Sequence, residues 1–216
     1  MRLLSGRTRA HTADVVETMP LADDLWVQIA PETARRLIIA AVGAFARHGY
    51  HATSTREIAK LAGMSPAGMY VHYRSKADVL YEIARVGHTD ALAAVRHAVA
   101  GQENPAAAVA AFARASATWH AQHHTVAKII QYELMALPRK RFDEVRQMRR
   151  TFEQVLEREI QRGLSTGVFV IEDVRVASVA ILSLGIDVAR WYHDGVEPSP
   201  ARLGELYGLL APKLLK

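Results

Sequence analysis

Residues 53–76 (TSTREIAKLAGMSPAGMYVHYRSK) constrain this chain more than any other stretch, because their start and stop signals leave room only for two short helices and a tight turn. Ser54 and Glu57 have the spacing of a capping box, in which each side chain satisfies a free backbone N–H at a helix start. Ile58, Leu61 and Ala62 then form the apolar face of a very short helix. Gly63 is placed to end it, because glycine takes the left-handed conformation that a C-terminal cap needs. Ser65 as N-cap and Pro66 at the first helical position restart a helix at once, where proline's missing N–H costs nothing. This is helix-turn-helix grammar, and the second helix of such a unit enters the DNA major groove.

The outer side of that second helix favours DNA over mere packing. Ala67 and Gly68 are small enough for close approach to base edges, and Tyr70, His72 and Tyr73 supply hydroxyl and imidazole groups for phosphates or bases. Ser75 caps the next helix and Lys76 falls in its first turn, where a cation opposes the helix dipole. A phosphate seated there would account for it. The competing reading makes Met69, Tyr70 and Tyr73 core and the remainder solvated surface. The expected DNA contacts are Thr55, Arg56, Ser65, Ala67, Gly68, Tyr70, Val71, His72 and Lys76.

Gly49-Tyr50, then Thr53-Ser54-x-Arg56-Glu57-Ile58-Ala59, Ala62-Gly63-Met64-Ser65 and Met69-Tyr70-x-His72-Tyr73-x-Ser75-Lys76 closely resemble the TetR family of bacterial repressors. The resemblance covers residues 32 to about 85. Ala67 departs from the glycine that many members carry, and Pro66 replaces a residue that is often basic or small. The resemblance implies a homodimeric repressor of double-stranded operator DNA, with a ligand pocket in the C-terminal domain.

Charge agrees with a polyanionic partner. The chain of 216 residues carries a formal +5, and its pI is about 9.6. Residues 31–85 alone hold eight Lys/Arg against four acids, a local +4. Half the residues are hydrophobic, alanine is abundant and β-branched alternation is scarce, so the expected class is all-α. Three segments are expected: an extension over 1–30, a three-helix DNA-binding domain over 31–77, and a ligand-binding and dimerisation domain over 78–216. The absence of cysteine excludes disulfides, a thiolate nucleophile and Cys-ligated metal. Met1–Ala30 lacks the apolar run of a secretory signal, and the longest apolar run, Leu37–Ala46, is too short to span a bilayer. A cytoplasmic protein with no membrane partner is expected.

Along the chain, residues 1–30 read either as a leader, with Met19 an alternative start, or as a basic arm whose Arg2, Arg7 and Arg9 enter the minor groove. Glu32–His48 reads as a helix ended by Gly49, and a fourth helix runs from Lys76 to about Ala100. Further helices are expected over 105–120, 125–137, 138–164 and 172–193, with a last one after Pro200. The last two are apolar around so much of their girth that they must be buried on several sides. This implies a four-helix dimer interface using Ala177, Ile181, Leu184, Val188, Leu206 and Leu210.

Four constellations remain. Gly163-Leu164-Ser165-Thr166-Gly167 matches the nucleophile-elbow pattern, but a long charged helix precedes it where a hydrolase needs a strand. His120 and His124 have the spacing of a helical metal pair, with His123 beside them and no acidic third ligand near in sequence. Residues 138–150 hold six cations and two acids, either a solvated helix face or an anion site at a pocket mouth. The segments 132–138 and 190–192 resemble family members that sense coenzyme A thioesters. Trp119, Ile130, Leu134, Phe152, Leu184 and Trp191 would line an apolar cavity for the acyl part, and Arg146, Arg149 and Arg150 would meet the phosphates. The expected function is a repressor released by an apolar or acyl-CoA effector, without catalytic residues, metal or cofactor. The rivals are a helical hydrolase using Ser165 and a DNA binder with no ligand.

Overall fold

A computed structural model describes residues 23–216, and among these the ordered elements are all helical. A short 3-10 turn, Asp23–Trp26, leads into α1 (Glu32–Ala52), α2 (Thr55–Leu61), α3 (Pro66–His72) and α4 (Lys76–Val99). Then come α5 (Pro105–Gln122), α6 (His124–Glu133), α7 (Arg139–Ser165), α8 (Val174–Trp191) and α9 (Pro200–Leu210). Two more 3-10 turns, Leu134–Ala136 and Ala211–Leu215, come after α6 and α9. No helix among the described residues is long and apolar enough to cross a membrane. The arm arginines and Met19 lie outside the described residues.

The punctuation seen in the sequence is made of real hydrogen bonds. Ser54 Oγ accepts from the Glu57 N–H at 3.1 Å while the Ser54 N–H donates to Glu57 Oε2 at 3.5 Å, closing the capping box. Ser65 Oγ accepts from the Gly68 N–H and Ser75 Oγ from the Asp78 N–H, each at 3.1 Å. Gly63 turns the chain with φ +68°, which non-glycine residues rarely adopt. Two details differ from expectation. Gly49 kinks the first helix rather than ending it, since one more helical turn carries the chain to Ala52. Leu61 is 43% exposed, so the inner face of α2 consists of Ile58, Ala59 and Ala62.

One apolar cluster joins the N-terminal helices to the C-terminal bundle. Leu25 and Trp26 of the extension, Leu37, Ile38 and Phe45 of α1, Ile58, Met69, and Leu80 and Ile83 of α4 pack together with Ile129, Ile130, Leu134 and Val145. A second cluster fills the larger bundle around Phe112, Phe152, Leu156, Ile160 and Phe169. Full burial of such a side chain stabilises by roughly 1.5–3 kcal/mol. A third, small cluster holds Val188, Tyr192 and Leu203.

α9 lies almost in backbone contact with α5. A Cβ at Gly204 would sit 2.7 Å from the Arg114 carbonyl oxygen, and one at Gly208 would sit 3.0 Å from that of Ala110. Only glycine allows this approach. It leaves Leu206, Leu209, Leu210 and Leu214 pointing outward, 36%, 62%, 51% and 51% exposed.

Candidate DNA-reading face and ligand cavity

α3 presents an uncharged tip. Ala67, Tyr70 and Val71 are exposed, Val71 to 80%, while Met69 on the opposite side is wholly buried and anchors the helix. A Cβ at Gly68 would meet Met64 and Ser65 at 3.4 Å, ordinary contact distance, so this glycine is not demanded by packing. Thr55 Oγ1 and Tyr70 Oη lie 3.3 Å apart, linking the start of α2 and the outer edge of α3. Arg56 and Lys60 stand exposed on α2. His72 Nε2 shares a hydrogen bond of 2.9 Å with Thr33 Oγ1, which ties the end of α3 to the start of α1. Ser65 Oγ is engaged as the cap of α3.

Lys76 behaves differently from the phosphate contact expected of it. Its Nζ donates to the carbonyls of Tyr50 (2.6 Å), Thr53 (2.6 Å) and His51 (3.3 Å), and lies 4.3 Å from the centre of the Tyr50 ring. Its three donors are spent on the carbonyls left open by the kinked end of α1. Burial pulls its pKa down, partly offset by Glu133. The sequence alone held no sign of this, since the carbonyls lie more than twenty residues upstream.

A cavity of about 350 Å³ lies within the bundle, walled by α4 (Gly87, His88, Ala91), α5 (Trp119, His120), α6 (Ala127, Ile130, Gln131), α7 (Arg149, Phe152, Glu153) and α8 (Val179, Leu182, Ser183, Ile186). Trp119, Ile130 and Phe152 line it as expected, and Arg149, expected to meet phosphates at the mouth, is part of the wall as well. Three others are not. Leu134 belongs to the first core, because the 3-10 turn after α6 carries it past the cavity end. Leu184 sits on the far side of α8, beside Tyr207 and Leu210 of α9. Trp191 packs against Tyr192 in the third cluster, ring centres 5.8 Å apart. His88, Gln131 and Ser183 were not foreseen, since none stands in an apolar stripe or a motif.

The polar groups of the wall are fixed by the backbone. His88 Nδ1 lies 2.7 Å from the Ala84 carbonyl oxygen and must donate to it, so its Nε2 accepts from Arg149 Nε at 3.3 Å. Arg149 Nη2 also donates to the Ile130 carbonyl at 3.3 Å. His120 Nδ1 likewise donates to the Ser116 carbonyl at 2.8 Å. Burial lowers both imidazole pKa values to about 4. Trp119 Nε1 donates to Asp90 Oδ2 at 2.7 Å.

Arg149 and Glu153 also border an open depression of about 550 Å³ with Phe142, Arg146, Arg150 and Arg175. Arg146 and Arg150 therefore lie outside the cavity, reached through Arg149. Each rests on surface acids: Arg150 on Glu157 (2.8 Å) and Glu153 (3.1 Å), Arg146 on Asp143 (3.8 Å). Exposed pairs of this kind are worth little and exchange easily for another anion.

On α8, Leu184 is exposed beside the outward leucines of α9, while the exposed Val179 and Ile186 stand at the open edge of the cavity and Val176 is exposed near the helix start. Ile181 and Val188, expected at a dimer interface, are 4% and 0% exposed and face the bundle interior; Ala177 is half-buried. The helix turns its apolar residues two ways, and only one of them is open. Ser165 Oγ donates to the Arg162 carbonyl at 2.9 Å, as a residue ending a helix does, and α7 rather than a strand precedes it. Of the three histidines, His120 is buried, His124 Nδ1 donates to the Ala121 carbonyl, and no group of three metal-ligating side chains occurs among the described residues.

Two family descriptions match the chain: bacterial regulatory proteins of the tetR family over residues 37–83, and a tetracyclin repressor-like C-terminal domain over 102–215. The transcriptional repressor KstR2 of Mycobacterium tuberculosis is 30% identical over 79% of this chain and 86% of its own, and that of Rhodococcus jostii 28% over 82% and 87%. A tetR-family regulatory protein from Rhodococcus RHA1 superposes with a TM-score of 0.81 at 36% identity, covering 86% of this chain and 97% of that one. AibR, solved with isovaleryl coenzyme A and operator DNA, shares the fold with a TM-score of 0.75 at 21% identity, over 83% of this chain and 98% of its own.

Proposed function

Because the chain belongs to the TetR family of bacterial transcriptional regulators, we propose that it is a homodimeric repressor released from its operator by an apolar acid or its coenzyme A thioester. The observation that carries the effector class is the join between the largely apolar, half-open cavity and the arginine-lined depression, made by Arg149 and Glu153. An acyl part fits the first, and the phosphates of a thioester fit the second.

α4 supplies the route between ligand and DNA. Its first turn begins at Ser75, just after α3, and its Gly87, His88 and Ala91 wall the cavity about 18 Å further along at 1.5 Å per residue. A ligand that prefers one position of α4 therefore shifts the pair of recognition helices, and only to the extent of that preference. The dimer rests on the open apolar strip of α8 and α9, and helix-turn-helix dimers read two half-sites one helical turn apart. The division of labour at residues 77/78 and the DNA contacts Thr55, Arg56, Ala67, Gly68, Tyr70 and Val71 belong to the same reading. Ser165 has no part in it, and neither catalysis nor a metal is required. A DNA-binding regulator of this kind acts in the cytoplasm.

The test is to select operator DNA from a random pool, then titrate free acids and their CoA thioesters against the complex while following melting temperature. Binding to the native state raises it by mass action. Release by thioesters, weakened when Arg146, Arg149 and Arg150 are neutralised together, is the expected outcome. Indifference of the complex to every acid and thioester would refute the effector class.

A further inference from the structure

The cavity wall is not uniformly apolar. His120 is 9% exposed, its ring 5.2 Å from that of Trp119, and its Nδ1–H is committed to the Ser116 carbonyl. With that hydrogen on Nδ1, Nε2 carries a lone pair and makes no hydrogen bond among the described residues, and the imidazole is part of the cavity lining. In the same wall the carboxamide of Gln131 has its Oε1 buried without a hydrogen-bond partner. His88 is occupied by Ala84 and Arg149 and Trp119 by Asp90, while the Ser183 hydroxyl in the same wall is left open beside them. A buried oxygen without a partner, such as Gln131 Oε1, is rare and needs a reason.

Resting on the effector class proposed for this cavity, we propose that its inner wall is a hydroxyl-recognition site. His120 Nε2 accepts the hydroxyl hydrogen of an effector whose apolar frame fills the remainder, and the Gln131 amide, turned about its last torsion, answers the hydroxyl oxygen. A ketone at that position offers no hydrogen to Nε2, and a plain hydrocarbon leaves both groups bare. Protonation of His120 would convert the acceptor into a donor, and burial beside His88 and His123 holds it neutral at physiological pH. The effector class is thereby narrowed from any apolar acid to a hydroxylated one.

The experiment uses the full chain and twelve probes: octanoate, decanoate and dodecanoate, each with its ω-hydroxy counterpart, as free acids and as CoA thioesters. Calorimetry should show at least one hydroxylated member binding about tenfold tighter than its parent. In His120→Asn, where the amide can still serve the Ser116 carbonyl, that preference should vanish while the parent acid still binds; its circular dichroism and melting point check the fold. Independently of any variant, nitrogen-15 NMR of the wild type should find the His120 proton on Nδ1, with Nε2 shifting only when a hydroxylated probe is added. Equal binding of hydroxylated and parent acids, or a proton on His120 Nε2, would overturn the hydroxyl site and leave the effector class standing. Failure of every probe to bind would overturn both.

Discussion

Glu133, the last residue of α6, accepts a hydrogen bond at Oε1 from the backbone N–H of Tyr50 at 3.2 Å. The bond joins the helix that walls the cavity, through Ala127, Ile130 and Gln131, to the kink at the end of α1. Lys76 holds the same kink from the other side. A shift of α6 on ligand binding is therefore felt where α1 hands over to α2.

Glu133→Ala should reduce the factor by which effector weakens operator binding, since it removes a contact through which a shift of α6 would reach α1. Operator affinity measured with and without a binding thioester gives that factor. A factor unchanged from wild type would exclude a role for this bond in coupling.

Lys76→Met should lower stability by about 1–2 kcal/mol, because three carbonyls lose a charged donor. The salt dependence of DNA binding should keep its slope. Arg56→Ala, by contrast, should reduce the slope by about one unit and weaken all sequences alike. A reduced slope in Lys76→Met would restore the phosphate contact.

Gly68→Leu should abolish sequence-specific binding while leaving the melting temperature near wild type, because a Cβ there meets only ordinary contacts at 3.4 Å. Gly204→Leu should instead lower the melting temperature, because its Cβ would press on the α5 backbone and prevent α9 from docking. Thermal melts beside operator titrations separate the two.

Leu206→Arg should yield folded monomers that no longer hold two half-sites together, because Leu206 lies on the open strip. Ile181→Arg should not fold, since Ile181 is 4% exposed within its own protomer. Sedimentation of the two variants tells surface from interior.

His88 and His120, with native pKa values of about 4 against an ordinary 6.5, make the protein acid-sensitive. Between those values the unfolded chain binds more protons, so stability is flat above pH 6.5 and falls as pH drops towards 4. Near pH 5 the loss amounts to about 2 kcal/mol per histidine. Urea melts of His88→Gln/His120→Gln should lose correspondingly less than wild type between neutral pH and pH ~5.

How much could be read from residues alone depends on the range of the forces involved. Ser54, Glu57, Gly63, Ser65, Pro66 and Ser75 act on backbone within a turn of themselves, so their roles were legible in one dimension. Trp119, Ile130 and Phe152 were found because apolar stripes of neighbouring helices meet in the middle of a bundle. Leu134, Leu184 and Trp191 as cavity residues, and Ile181 and Val188 as interface residues, were misplaced because helices apolar on two sides do not say which side meets which neighbour. Lys76 and His88 answer to carbonyls and guanidinium groups brought near only by the fold.

The first apolar cluster runs unbroken from Leu25 through α1 and α4 to Ile130 and Val145. The DNA-reading helices are therefore not a detachable cassette. A chimera spliced at residue 77, joining this reading head to another sensor, would strip Ile129, Ile130, Leu134 and Val145 from the core that steadies α1 and α4. Successful grafts should carry the sequence through Val145, so that the fitted partners of the head travel with it. By the same logic, substitutions at Ile129 or Leu134 during divergence should be answered by changes in α1 or α4, which would tie operator preference to effector preference.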